Sequence, residues 1–164
     1  MYGNTGPGDG TGTSKFVRVN SRGELMDGRV AELQSEETLN DSDKTLTVPA
    51  GSEWEVLSIY VELVTTATVG NRQMAIYFTD EADDIIGQVR AGAVQAASLT
   101  RFYQFAAGLP DLAAFRDTDW LSTPLPAGLV LPAGYKIRVF DKAAIDAAAD
   151  DMDVQVMVKE RLVP

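Results

Sequence analysis

From Val48 onward the chain repeats with a period of two. Trp54, Val56 and Ser58 alternate with Glu53, Glu55 and Leu57, and the run continues through Ile59-Tyr60-Val61-Glu62-Leu63-Val64. Alternation of this kind sends successive side chains to opposite faces of a pleated strand, whereas a helix needs a period near 3.6. Similar β-branched and aromatic runs fall at 73–78, 85–89, 98–105, 119–123, 135–140 and 152–162. Gly70-Asn71 marks one turn, and the acidic run Asp80-Glu81-Ala82-Asp83-Asp84 reads as a hairpin tip. Turn signals about 8–15 residues apart predict an all-β, antiparallel β-sandwich or barrel rather than alternating βα units.

An internal echo supports this. Val48-Pro49-Ala50-Gly51 precedes Trp54 and Val56, and Leu131-Pro132-Ala133-Gly134 precedes Ile137 and Val139 at the same spacing, with a partial third copy at Leu125-Pro126-Ala127-Gly128. Proline presets φ for a turn and glycine supplies a positive φ, so each Pro-Ala-Gly is expected to launch a strand. The alanine-rich stretches 91–97 and 143–149 lack an amphipathic stripe and read as connections, with at most a turn of helix.

Residues 1–47 have a different composition. Five glycines fall within the first fifteen positions, followed by short apolar pieces and the polar run from Gln34 to Lys44. Ordering a backbone costs about 1–2 kcal/mol per residue, and these scattered apolar side chains are too few to offset it. The expected organisation is an extended N-terminal arm over 1–47 and a sandwich domain over 48–164.

Chemistry is constrained by what is missing. The 164 residues contain no cysteine and no histidine, which removes disulfides, Cys/His zinc sites and Ser-His or Cys-His catalysis. Fourteen Lys+Arg against 24 Asp+Glu give a net charge of −10, which disfavours nucleic-acid binding. No run approaches a membrane span, and no signal peptide opens the chain, so the expectation is a protein made in the cytosol, with no membrane partner. Gly6-Pro7-Gly8-Asp9-Gly10-Thr11-Gly12 has no preceding strand or following helix, so it reads as flexible arm and not as a phosphate loop. The acidic clusters 80–84 and 141–153 hold enough oxygen for calcium but lack EF-hand spacing, and solvated loops are the favoured reading. No metal, cofactor or catalytic residue is assigned, and the chain is expected not to be an enzyme. Phe102, Tyr103 and Phe105, with Trp54 and Trp120, are expected to pack in the core. Alternation turns Phe102 opposite to Tyr103, and an outward Tyr103 would suit a subunit interface.

Several segments resemble a family of small structural proteins of tailed bacteriophages. They are Val48-Pro49-Ala50-Gly51, residues 67–73 (ATVGNRQ), residues 92–101 (GAVQAASLTR), residues 129–135 (LVLPAGY) and residues 146–152 (DAAADDM). The resemblance spans residues 48–160. It implies a jelly-roll-like sandwich and a role in capsid decoration or cementing: binding the outer capsid surface and tying neighbouring major capsid subunits together. On that reading the partners are the major capsid protein and further copies of this chain, with a trimer preferred because it matches local three-fold positions of a shell. The place is the virion's outer surface, after assembly in the host cytoplasm. A tail, neck or connector component and a carbohydrate-binding module are the competing roles. The arm is expected to be the attachment element, through Phe16, Val17, Val19, Val30 and Leu33.

Overall fold

The structure, a computed structural model, describes residues 30–163. They form ten strands: β1 Val30–Glu36, β2 Asp43–Thr47, β3 Ser52–Val64, β4 Met74–Thr79, β5 Ile85–Arg90, β6 Thr100–Ala106, β7 Trp120–Pro124, β8 Val130–Leu131, β9 Lys136–Asp141 and β10 Asp151–Leu162. No helix occurs among the described residues.

The pairing is nested. The first strand pairs antiparallel with the last, β1 with β10; β2 then pairs with β9, β3 with β8, and β4 with β5. Alternate pairs of this long hairpin lie in opposite sheets. One sheet runs β1-β10-β3-β6-β7 with β8 also on β3, and the other runs β2-β9-β4-β5. Two sheets built from nested pairs in this order are a jelly roll. The strands β6 and β7 are an insertion between β5 and β8. They continue the larger sheet past β3 and form the one parallel pair among the described residues, Phe102–Ala106 beside Trp120–Pro124.

The alternation at 52–64 forms the longest strand, with Ile59, Val61 and Leu63 inward against Val154 and Val156 of β10. Ile76 and Phe78 of β4 and Ile137 and Val139 of β9 close the core from the other sheet. Each fully buried side chain of this size contributes about 1.5–3 kcal/mol. Both repeated turns adopt the conformation the glycine was expected to supply. Gly51 has φ 76° and Gly134 φ 82°, and Ser52 N and Tyr135 N bond back to the proline carbonyls at 3.1 and 3.2 Å.

The compositional boundary at residue 47 does not coincide with a break in the sheets. Residues 30–36 and 43–47, counted with the arm by composition, are the first two strands of the roll. Leu46 is buried on β9, and Lys44 is buried too, its ammonium donating to the Thr38 carbonyl. Composition understates these strands because β1 turns Glu32, Gln34 and Glu36 toward the side that β10 lines with valines. The alanine-rich runs are loops, the second held as one turn by Asp150 N to Asp146 O at 2.8 Å.

Candidate interaction surfaces

The conspicuous polar cluster closes one end of the sandwich. Arg72 and Asp150 are both fully buried. Arg72 Nε and Nη2 donate to the two Asp150 oxygens at 2.7 and 3.0 Å, Nη1 donates to the carbonyls of Thr68 and Gly70, and Nη2 also reaches the Thr66 hydroxyl at 3.3 Å. Every guanidinium donor is thus used. Arg72 and Gln95 exchange backbone bonds at 2.8 Å, and the Gln95 amide bonds the carbonyls of Leu63 and Leu99 while accepting from the buried Tyr103 hydroxyl. Burial pushes the Tyr103 phenol well above its ordinary value, so it stays a donor. Asp146 accepts from the hydroxyls of Thr66 and Thr68, which hold its carboxyl below the usual range. Asp141 accepts from the amides of Gln73, Ala143 and Ile145 at 2.8–2.9 Å.

This clasp gathers the segments 67–73, 92–101 and 146–152 in one place. Their carboxylates cap backbone and pair with arginine. Among the described residues, no group of three or more metal-binding side chains is assembled. At the other end, Asp80 is likewise spent on the amides of Ala82 and Asp84, both at 2.9 Å. No helix of the described residues is long and apolar enough to cross a membrane.

The two outer faces differ in charge. On the four-stranded sheet, Lys136, Arg138 and Arg90 point outward, and Arg90 and Lys142 flank the Tyr77 hydroxyl. Arg138 pairs with Asp43, its Nε 2.9 Å from the carboxylate, and lies 4.7 Å over the Phe140 ring; Lys136 pairs with Asp83. Between them opens a shallow concavity of about 450 Å³, lined by Thr45, Tyr77, Thr79, Ile85 and Arg138. The Thr79 hydroxyl is buried there without a hydrogen-bond partner. On the six-stranded sheet, Glu53, Glu55, Glu62, Asp151 and Asp153 face outward against Lys159 and Arg161. Beside them Tyr60 stacks on Phe102 at 6.4 Å, and Trp120 is Phe102's strand partner. The outward aromatic is therefore Phe102. Tyr103 is fully buried, packed edge-on against Phe115, so the option of an outward Tyr103 is corrected.

Of the residues assigned to attachment, Phe16, Val17 and Val19 lie outside the described residues. Val30 opens β1 opposite Glu160. Leu33 sits on the outer face of β1 opposite Met157, and the two are 55% and 37% exposed, so this pair is a surface feature.

No protein-family model and no curated protein matches the chain. Solved structures similar to it include an exo-beta-agarase (13% identity, TM-score 0.36, 91% of this chain and 22% of that one). Infectious bursal disease virus, Gx strain, is another (12%, 0.29, 92% and 47%). A third is the VP2 subviral particle of infectious bursal disease virus (15%, 0.30, 96% and 46%). The chain spans less than half the length of each.

Proposed function

We propose that this protein is a non-enzymatic virion component that decorates the outer surface of a capsid and bridges neighbouring major capsid subunits. The observation that carries the proposal is the division of labour among its polar groups. The clasp and the hairpin tip use their carboxylates to hold loops, while the outer faces differ: carboxylates outnumber bases on the six-stranded sheet, and on the four-stranded sheet Lys136 and Arg138 are paired with acids beside Arg90 and Tyr77. A rigid body with two dissimilar faces is suited to touching two different surfaces at once, and complementary charge steers such docking. The resemblance of residues 48–160 to small bacteriophage structural proteins supports the same role. Self-association as a trimer would let each interface be used three times on a three-fold site. The residues upstream of β1, with Phe16, Val17 and Val19, would supply reach from the Val30 end of the body, and Leu33 an apolar contact beside it.

The test is to add the full chain to purified capsid shells lacking it and to count bound copies. Decoration requires on the order of hundreds of copies per particle, whereas about a dozen would mean a neck or connector role. No binding at any salt concentration would overturn the proposal.

A further inference from the structure

A sheet protein has to protect its edges, because a row of unpaired N–H and C=O groups invites another strand. Among the described residues the edge strands are β1, β7, β2, β5 and the two-residue β8, which is too short to template a partner; of the four longer ones, three are blunted. The loop before β7 folds along it: Leu112 N bonds Ser122 O at 3.1 Å, Arg116 and Trp120 exchange backbone bonds, and the Ser122 hydroxyl reaches Pro110 O. Strand β1 turns Glu32, Gln34 and Glu36 inward, and Glu160 beside Glu32 holds that carboxyl above its usual range. Strand β2 is five residues long and carries the inward Lys44 beneath the loop at Thr38. An inward charge opposes pairing with an incoming apolar strand.

The fourth edge, β5, has a bulge at its start but carries no inward charge, and among the described residues no loop bonds along it. It ends the four-stranded sheet, and at its start Ile85 and Ile86 are large apolar side chains left 56% and 53% exposed. Ile86 is the extra residue of a bulge, since Phe78 faces Gly87 and Thr79 faces Ile85. Val89 already packs on the core, so a neighbour added here would extend an existing apolar layer. Next to this edge stands the acidic tip, where Asp80 caps amides and Asp83 pairs with Lys136, and Glu81 and Asp84 are exposed.

The chain contains a segment of matching chemistry. Twenty-nine residues precede Val30, and Lys15-Phe16-Val17-Arg18-Val19-Asn20 alternates like a strand. Lys15, Arg18 and Arg22 fall between Asp9 and Glu24 with no acid among them, a basic stretch in a chain of net charge −10. Val30 enters the sandwich at the same end as the acidic tip, where Gly134 packs against Glu81. The ten steps from Asn20 to Val30 can span about 33–36 Å, enough to leave one body and reach the next. We propose that residues 15–20 of one copy add as a strand to the free edge of β5 in a second copy, with the basic side chains over the acidic tip. This rests on the reading above only in that copies meet on a particle.

The absence of cysteine makes the test direct. Full chains carrying Val17→Cys or Val19→Cys are mixed under oxidising conditions with full chains carrying Gln88→Cys or Val89→Cys. The expected result is a reducible product of twice the chain mass from at least one mixture, and none when the second cysteine is Thr45→Cys on β2. No cross-linked product, or only an intrachain bond in chains carrying both cysteines, would overturn the proposal. In parallel, Ile85→Lys with Ile86→Lys should shift the light-scattering mass of the full chain from a multimer to 17.7 kDa. The same change should leave its melting unaltered, and an unchanged multimer would count against β5. If the lysine variant melts early, cross-linking decides. Capsid binding is measured separately. Cross-linking without capsid binding sinks the decoration reading alone, and capsid binding without cross-linking sinks this one alone.

Discussion

Removing Asp150 should be among the most damaging single changes this fold can suffer. The carboxylate is fully buried and accepts three hydrogen bonds: from Thr66 N at 2.7 Å, from Arg72 Nε at 2.7 Å and from Nη2 at 3.0 Å. In Asp150→Ala the guanidinium stays buried with its remaining bonds to carbonyls and a hydroxyl, and its charge loses the one carboxylate that bonds it among the described residues. Breaking a buried pair from one side costs about 3–5 kcal/mol, because the remaining charge is left without compensation. For a domain of this size that lowers Tm by roughly 10–20 °C. Arg72→Met should cost a similar amount, since it strands Asp150 and takes donors from Thr68 O and Gly70 O. The double variant Arg72→Met with Asp150→Leu should cost far less than the sum, because two apolar side chains can replace a buried ion pair at little net cost. Urea unfolding of the four proteins at neutral pH gives the coupling directly, with at least about 2 kcal/mol expected. It should persist in 1 M salt, as screening reaches a buried pair poorly. Additive single effects, or a single-variant loss under about 0.5 kcal/mol, would refute the clasp as a source of stability.

Gly51→Val and Gly134→Val force a β-branched residue to positive φ and should each cost about 1–3 kcal/mol in denaturant melts, with Gly134 the worse because a Cβ there meets Glu81 at 3.3 Å. A chain starting at Val48 lacks β1 and β2 and should show no cooperative melting by circular dichroism, whereas one starting at Val30 should melt within a few degrees of the full chain. The folded carboxyl of Asp146 titrates below its unfolded value near 3.8, so its stabilisation is complete above that value and is lost as pH falls through the folded value. Thr66→Val with Thr68→Val should flatten that part of the stability–pH curve, and an unchanged acid limb would show that the hydroxyls do not hold Asp146.

The strands of residues 52–64 and 152–162 were legible because both faces of each have a fixed character, apolar inward and polar outward. The glycine turns were legible because Pro-Ala-Gly admits few backbone conformations. The strands β1 and β2 were not, for a physical reason. Their inward positions include Glu32, Gln34, Glu36 and Lys44, which tertiary partners such as Thr38 accommodate and which no hydropathy pattern would place in a sheet. The clasp was hidden for the same reason, since an arginine and an aspartate 78 residues apart read as surface groups. The segments 67–73, 92–101 and 146–152 stood out in the sequence, but nothing in their spacing says that Arg72, Gln95 and Asp150 meet.

The nested pairing has a mechanical consequence. A load applied through the residues upstream of Val30 enters the fold at β1, which is held to the body by its register with β10 from Val30–Glu160 to Glu36–Val154. Pulled along the strand axis, past the turn at Gly51, these pairs are loaded together and must break together. Pulled across the sheet, they open one after another like a zipper, starting at Val30. The zipper stops at the loop beyond Glu36, where Asn40 N is tied to Asp151 and Ser42 N to Ala147 O, both at 3.0 Å. A strand held in this way resists load along its axis and yields to load across the sheet.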